Sequence, residues 1–292
     1  MTQLNISLGS AVLNDDSAPY LIAEIGINHN GDIQIAKKLI DGAHAAGWNA
    51  VKFQKREPDI AVPEAQKSVM RDTPWGRMTY LEYKKHVEFG KEEYDYIDKY
   101  CKEKPIDWAA SPWDMSSLDF LLQYDIPFIK IASATIVQDA LLKKAAQSGK
   151  VIIMSTGMST WAEIDHAVAI LEKYAEGGYV LMHTNSTYPA PDENLNLRMI
   201  TTLKERYRCL VGYSGHEQGL EPTVMACVLG ACVIERHVTL DHDMWGTDQA
   251  ASLTLHAMDM LQRRVRNVRK ILGDGEHSLS EAELAVKKKL RG

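Results

Sequence analysis

Lys52 and Lys130 each close a short apolar run, Ala50-Val51 and Pro127-Phe128-Ile129. An ammonium at the end of a buried run is either a Schiff-base nucleophile or a cation for an anionic substrate. With Ser133, Ser155 and Ser214 in similar places, the set reads as a cradle for phosphate and carboxylate, which take donors from ammonium and hydroxyl groups. Any one of these residues alone is better explained as a structural ion pair; several together at run ends are not. His216 and His237 follow neighbouring runs, and two imidazoles with room for water suit a divalent metal such as manganese, iron, cobalt or zinc. Their separation matches no established metal motif. Glu24, which ends Leu21-Ile22-Ala23, and Asp248 are the carboxylates best placed to move a proton or orient a substrate, with His183 a weaker candidate.

Such residues need a scaffold that gathers many strand ends on one face. Short apolar runs fall at about 20–24, 49–53, 106–110, 127–131, 151–155, 179–183, 209–212 and 232–236, with helix-length stretches between them. Runs of this kind read as buried parallel strands. Eight of them predict a single (β/α)8 TIM barrel with its active face at the carboxyl ends of the strands. A doubly wound open sheet is the rival, but it would put polar ends on only a few neighbouring strands. Helices are expected over 35–46, 141–148, 161–174 and 258–272, the third capped by Ser159 or Thr160 with Glu163 in its first turn. Residues 1–17 read as a short N-terminal β-hairpin plugging the bottom of the barrel, 18–275 as the barrel, and 276–292 as a C-terminal helix or tail. The excursion from Lys55 to Tyr94 is too long for a simple connection, and reads equally as a substrate-gripping segment or as a surface insertion.

The 292 residues, 45% hydrophobic and 25% charged, suffice for one barrel with ample core. A net charge of -6 argues against nucleic acid or an anionic membrane as the main partner. Met1-Thr2-Gln3-Leu4-Asn5 lacks the start of a signal peptide and no run is long enough to span a membrane, so a cytoplasmic protein is expected. Cys101, Cys209, Cys227 and Cys232 show no metal spacing and are expected to be buried, reduced thiols.

Beyond single residues, whole segments resemble the sialic acid (N-acetylneuraminate) synthase family. They include Ile22-Ala23-Glu24-Ile25-Gly26-Ile27-Asn28-His29-Asn30-Gly31-Asp32, Val51-Lys52-Phe53-Gln54, Ser111-Pro112-Trp113-Asp114 and Lys130-Ile131-Ala132-Ser133. Ser155-Thr156-Gly157-Met158, Tyr188-Pro189-Ala190-Pro191, Gly212-Tyr213-Ser214-Gly215-His216 and Ile234-Glu235-Arg236-His237 follow in family order. The resemblance implies condensation of phosphoenolpyruvate with an aldose, N-acetylmannosamine or a related hexosamine, to give a nonulosonic acid and phosphate. It implies Glu24, Lys52, Lys130 and Asp248 as catalytic residues, and Gln54, Ser111, Trp113, Ser133, Thr135, Ser155, Ser186, Tyr188 and Ser214 as substrate-binding ones. It further implies His216 and His237 on a divalent metal, manganese first, with magnesium or cobalt as alternatives, and a homodimer. Three departures fall on the acceptor side: Thr135 where the family has an acidic residue, Ser186 where it has asparagine, and an end at Arg291-Gly292, where a C-terminal antifreeze-like domain would begin. Two other readings are a Schiff-base aldolase or lyase working through Lys130, and a non-catalytic sugar-binding barrel.

Overall fold

The computed structural model describes residues 4–292; the expectation drawn from Met1-Thr2-Gln3 lies outside the described residues. Strands β1 (Ile6–Leu8) and β2 (Ala11–Leu13) pair antiparallel. Strand β3 (Tyr20–Gly26), helix α1 (Ile33–Ala45) and β4 (Ala50–Lys55) follow. The excursion then holds α2 (Pro58–Ala61), α3 (Glu64–Lys67), the hairpin β5 (Met70–Thr73) and β6 (Gly76–Thr79), and α4 (Tyr80–Val87). The chain continues with α5 (Lys91–Glu103), β7 (Asp107–Pro112), α6 (Met115–Leu121), β8 (Phe128–Ile131), α7 (Asp139–Ala146), β9 (Val151–Ser155) and α8 (Trp161–Tyr174). The last elements are β10 (Tyr179–Thr184), α9 (Met199–Tyr207), β11 (Leu210–Gly215), α10 (Glu221–Val228), β12 (Val233–Thr239), β13 (Leu253–Thr254), α11 (Leu255–Leu272) and α12 (Glu281–Arg291).

Eight parallel strands run in the order β7-β4-β3-β12-β11-β10-β9-β8, and β7 and β8 lie side by side to complete a nearly closed barrel. The eight-strand expectation and the N-terminal hairpin are both met; the open sheet is not. No helix among the described residues is long and apolar enough to cross a membrane. All four cysteines are free and buried.

Strand alternation divides the core in two. Outward residues such as Val51, Ile129, Ile152, Leu181 and Val211 pack under the helices. Inward residues Ile22, Ala50, Ala109, Phe128, Ile153, Met182 and Val233 fill the lower lumen, and Leu8 and Leu13 of the hairpin close it from below. Two residues further along each of those strands the inward side chain turns polar: Glu24, Lys52, Ser111, Lys130, Ser155, Thr184 and Glu235, all buried. The floor therefore excludes water and the layer above it carries the chemistry.

Helix α8 starts at Trp161 as expected, while α1, α7 and α11 start two or three residues earlier than the apolar spacing predicts, α1 and α11 held by side-chain caps. Asp32 accepts from the Gln34 amide at 2.7 Å, and Thr254 caps α11. Thr160, not Ser159, caps α8, with Glu163 completing a capping box. Ile271 and Leu272, at the carboxyl end of α11, are exposed. Helix α12 is exposed along its length.

Candidate active site

The polar layer lines a cavity of about 210 Å³ at the carboxyl ends of the strands. Lys52 Nζ sits 2.6 Å from Glu24 Oε2, donates to Ser111 Oγ at 3.1 Å, and lies 3.8 Å from Glu235 Oε2. Lys130 Nζ donates to Ser155 Oγ at 2.6 Å and lies 3.8 Å from Glu235 Oε1, which also accepts from Ser214 Oγ at 3.0 Å. Two ammonium groups, two carboxylates and three hydroxyls thus form one connected set. Burial opposes the Lys52 ammonium, but Glu235 and Glu24 outweigh it and raise its pKa. For Lys130 burial wins over Glu235 and lowers the pKa to about 8. Burial would raise the Glu235 carboxyl, yet Lys130 and Lys52 hold it below the usual range. Glu24 Oε2 is taken up by the Lys52 ammonium, whereas Glu235 Oε2 is buried with only the 3.8 Å ion pair to Lys52 and no hydrogen bond.

A bulge positions Glu24. The β3–β4 ladder slips between Glu24 and Gly26, and Gly26 takes φ +55°. A Cβ there would stand 3.2 Å from both Glu24 Oε1 and Gln54 Nε2, the two atoms that form a 3.1 Å hydrogen bond. Only glycine accepts that backbone with that contact.

His216 and His237 enter from β11 and β12 with ring centroids 5.5 Å apart. His216 Nδ1–H donates to the Asn185 carbonyl at 2.5 Å, which fixes the tautomer and leaves Nε2 with its lone pair. Burial, then His237, keeps His216 neutral, its pKa lowered to about 3. His237 Nδ1 is buried with no partner. Two facing imidazoles with unclaimed nitrogens fit a divalent metal. Among the described residues no third His, Cys, Asp or Glu joins them, so water or substrate oxygens would complete the coordination. Tyr188 covers the pair, 4.0 Å from His216 and 5.7 Å from His237 between ring centroids.

The family model described as the NeuB family matches residues 39–277. The chain belongs to the NeuB family. It is an enzyme of the sialic acid synthase class, with a role in carbohydrate biosynthesis. It is 38% identical over 251 residues to N-acetylneuraminate-9-phosphate synthase of Drosophila melanogaster, covering 85% of this chain and 67% of that protein. It is 36% identical over 267 residues to N,N'-diacetyllegionaminic acid synthase of Campylobacter jejuni, covering 90% of this chain and 80% of that protein. The crystal structure of N-acetylneuraminic acid synthetase from Leptospira borgpetersenii, in complex with citrate, superposes with a TM-score of 0.87 at 32% identity, covering 99% of this chain and 98% of that one.

Within this NeuB-family barrel, Glu24, Lys52, Gln54, Ser111, Trp113, Lys130, Ser133, Ser155, Ser186, Tyr188, Ser214, His216 and His237 all line the cavity. Two expected residues do not. Thr135 lies in a 3₁₀ turn with Oγ1 donating to the Ala132 carbonyl at 3.1 Å, so its hydroxyl serves the turn. Asp248 lines a second cavity of about 260 Å³ that shares Gln54, Trp113 and Tyr188 with the first. His183, the weaker candidate, faces outward and bonds the Leu195 carbonyl at 2.6 Å through Nε2. Glu235 and Met158, quoted in the matched segments without a role, line the cavity too, and so does Thr184, which was not named. Thr184 was findable, since it stands two residues past Met182 as Ser155 stands two past Ile153. A larger depression of about 800 Å³ beside Pro189, Pro191 and Pro222 contains neither cation nor histidine.

Other residues of the matched segments serve the scaffold. Asn28 Nδ2 donates to the Val238 carbonyl at 2.9 Å, and His29 stacks on Phe89 at 3.7 Å. Asp114 caps α6 and accepts from the Glu57 amide at 2.7 Å, pinning the start of the excursion. Trp75 and Tyr83 of the excursion pack on Trp245, 5.6 and 4.7 Å away between ring centroids, so the excursion is tied to the loop that carries Asp248.

Proposed function

We propose that this protein condenses phosphoenolpyruvate with an aldose of the N-acylhexosamine class, in the presence of a divalent metal, to give a 3-deoxy-nonulosonic acid and phosphate. The observation that carries the reading is the gathering of two buried ammonium groups, Lys52 and Lys130, with Ser111, Ser155 and Ser214 around one cavity, directly beside the unclaimed histidine nitrogens. The relatives named for N-acetylneuraminate 9-phosphate and for diacetyllegionaminic acid support the same chemistry with different acceptors.

Lys52, Lys130 and the serines bind the phosphate and carboxylate of phosphoenolpyruvate and steady charge on the departing phosphate. His216 and His237 would hold the metal, manganese by preference, which when bound supplies Lewis-acid polarisation of the aldehyde. Tyr188 covers this pair and orients the sugar. C3 of phosphoenolpyruvate forms a bond to C1 of the aldose, and water adds at C2. Glu24 takes the proton of that water, and C–O cleavage expels phosphate from the tetrahedral adduct.

The test is phosphate release with phosphoenolpyruvate, manganese and a panel of aldoses, using phosphoenolpyruvate labelled with ¹⁸O in the bridging position. The label is expected in the phosphate, and Glu24→Gln and His237→Ala are each expected to abolish release. Near wild-type turnover in either variant would sink that residue's assignment. Lys130, held near pH 8 by burial, is also the one group that favours a Schiff-base reading. Borohydride trapping of Lys130 with a 2-keto acid would establish that alternative; no trapping is expected.

A further inference from the structure

Lys55 and Arg56 are adjacent cations that meet the same carboxylate, Glu88, and serve different ends. Lys55 is saturated. Its ammonium donates to Glu88 Oε1 at 2.8 Å, to the Phe89 carbonyl at 3.1 Å and to the Arg56 carbonyl at 3.2 Å, which uses all three of its protons. The Arg56 amide adds a fourth bond, to Glu88 Oε1 at 3.0 Å. Together these pin the stretch after α4 to the end of β4. The fold does not need the Arg56 side chain for that purpose.

Arg56 stands one residue past β4, in step with Lys52 and Gln54, and its side chain lines the second cavity. It is only 6% exposed, stacks on Trp113 at 4.4 Å and donates through Nη2 to Gln54 Oε1. Its Nε is buried without a hydrogen bond, 3.9 Å from Glu88. Burial and then Arg56 lower the pKa of Lys84, on the same cavity wall, to about 8, so Glu88 does not cancel the Arg56 charge. Burying a guanidinium with so few partners costs several kcal/mol. What the side chain does with that position is hold Gln54.

That bond reaches the reacting carboxylate. A guanidinium only donates, so it takes the oxygen of the Gln54 amide and leaves Nε2 to donate to Glu24 Oε1 at 3.1 Å. Lys52 holds the other oxygen, Oε2, at 2.6 Å. Lys52 is anchored besides by Ser111 and Glu235, whereas the Gln54 amide meets only Glu24 and Arg56 among the described residues. The bulge at Gly26 keeps clear the space in which the Gln54–Glu24 bond forms. We propose that Arg56 is a positioning residue for the reaction: by fixing the Gln54 amide it aims the Glu24 carboxylate at the water that adds to C2. This rests on the condensation reading above.

The test is steady-state phosphate release by the wild type, Arg56→Met, Gln54→Leu and the double variant, with phosphoenolpyruvate, manganese chloride and the best aldose of the panel. Arg56→Met should lower kcat about 100-fold, the scale of a misaimed catalytic group, and change KM for phosphoenolpyruvate by less than about threefold. In the Gln54→Leu background the same substitution should cost less than about threefold, because the group it acts through is gone. Losses that multiply would mean that Arg56 meets the substrate directly, and overturn the proposal. Lys55→Met is the scaffold control, expected to lower the melting temperature and to leave kcat within about threefold. A kcat for Lys55→Met as low as that of Arg56→Met would assign the loss to a loosened excursion and also overturn it. A crystal structure of Arg56→Met needs no turnover. The Gln54 amide is expected to leave Glu24, and an unmoved Gln54–Glu24 bond defeats this proposal while condensation stands. No phosphate release by the wild type with any aldose defeats both.

Discussion

Two groups of buried charges stand one residue apart on β12 and face opposite ways. Glu235 and His237 point into the lumen; Arg236, fully buried, points out under α10. The outer group is nearly complete in itself. Arg236 Nη1 meets Glu217 Oε1 at 2.9 Å, the Gly219 carbonyl at 3.0 Å and Thr223 Oγ1 at 2.9 Å, and Nη2 meets the Glu217 carbonyl. Glu217 in turn accepts from Thr223 at 2.7 Å and from Tyr213 at 2.9 Å. The inner group leaves Glu235 Oε2 and His237 Nδ1 without a hydrogen bond and opens onto a cavity. The contrast teaches how to tell a structural ion network from a functional one: each keeps an unmet atom, Arg236 Nε in the outer group, but only the inner one opens onto a cavity that can take a ligand.

The largest expected effect is on the inner group. Lys52→Met combined with Glu24→Gln should abolish turnover, a loss of at least about 10³-fold in kcat/KM, and because a matched pair is removed the melting temperature should change little. A collapse in stability instead would show that the lumen charges are structural. Arg236→Met should do the converse, since it strands Glu217: about 3 kcal/mol less stability, with activity of the folded fraction kept within about tenfold. Denaturant unfolding beside steady-state kinetics reads both, and loss of activity without loss of stability would erase the distinction.

Titration sharpens the same contrast. His29 lies in the outer layer, and burial lowers its pKa to about 3, so the folded state holds it neutral. Its contribution is fully present above the unfolded pKa of about 6.5 and is lost as pH falls towards 3, with a slope of up to about 1.4 kcal/mol per pH unit. Urea midpoints between pH 7 and 4 should show this slope, and His29→Leu should reduce it, leaving the part that comes from His216, lowered to about 3 as well. In the inner group Lys130 titrates at the other end. As pH rises through about 8, Lys130 loses its proton, and KM for phosphoenolpyruvate should climb by up to tenfold per unit. The smallest effect belongs to Gly26→Ala, about 1–2 kcal/mol for a non-glycine residue at positive φ. It should raise KM more than it lowers the melting temperature if the bulge exists to aim Glu24 and Gln54.

Most of the barrel was legible because its signal is local. Eight apolar runs ending in Glu24, Lys52, Lys130, Ser155, Ser214 and their like mark strands whose polar ends share a face, and period-two alternation sends those side chains inward. Thr135 was misplaced because a 3₁₀ turn after β8 rotates its hydroxyl back to its own backbone. Asp248 was placed one cavity away because a non-local contact of Trp245 with the excursion sets its loop. Lys84 could not be read at all. A lysine on a helix is ordinarily a solvated one, and its burial between Tyr80 and Tyr83 follows only from how α4 docks.

The alternation Glu235-Arg236-His237 also has a consequence for assembly. If β12 slid by a single residue against β11, Arg236 would turn into the lumen beside Lys52 and Lys130, and Glu235 would be pressed under the helices away from any cation. Each stranded charge would cost several kcal/mol, more than a few mispaired backbone hydrogen bonds recover. The strand therefore carries its own key to alignment, cut from the charges that flank the reaction centre, and the barrel fits together only in the register that also lets it work.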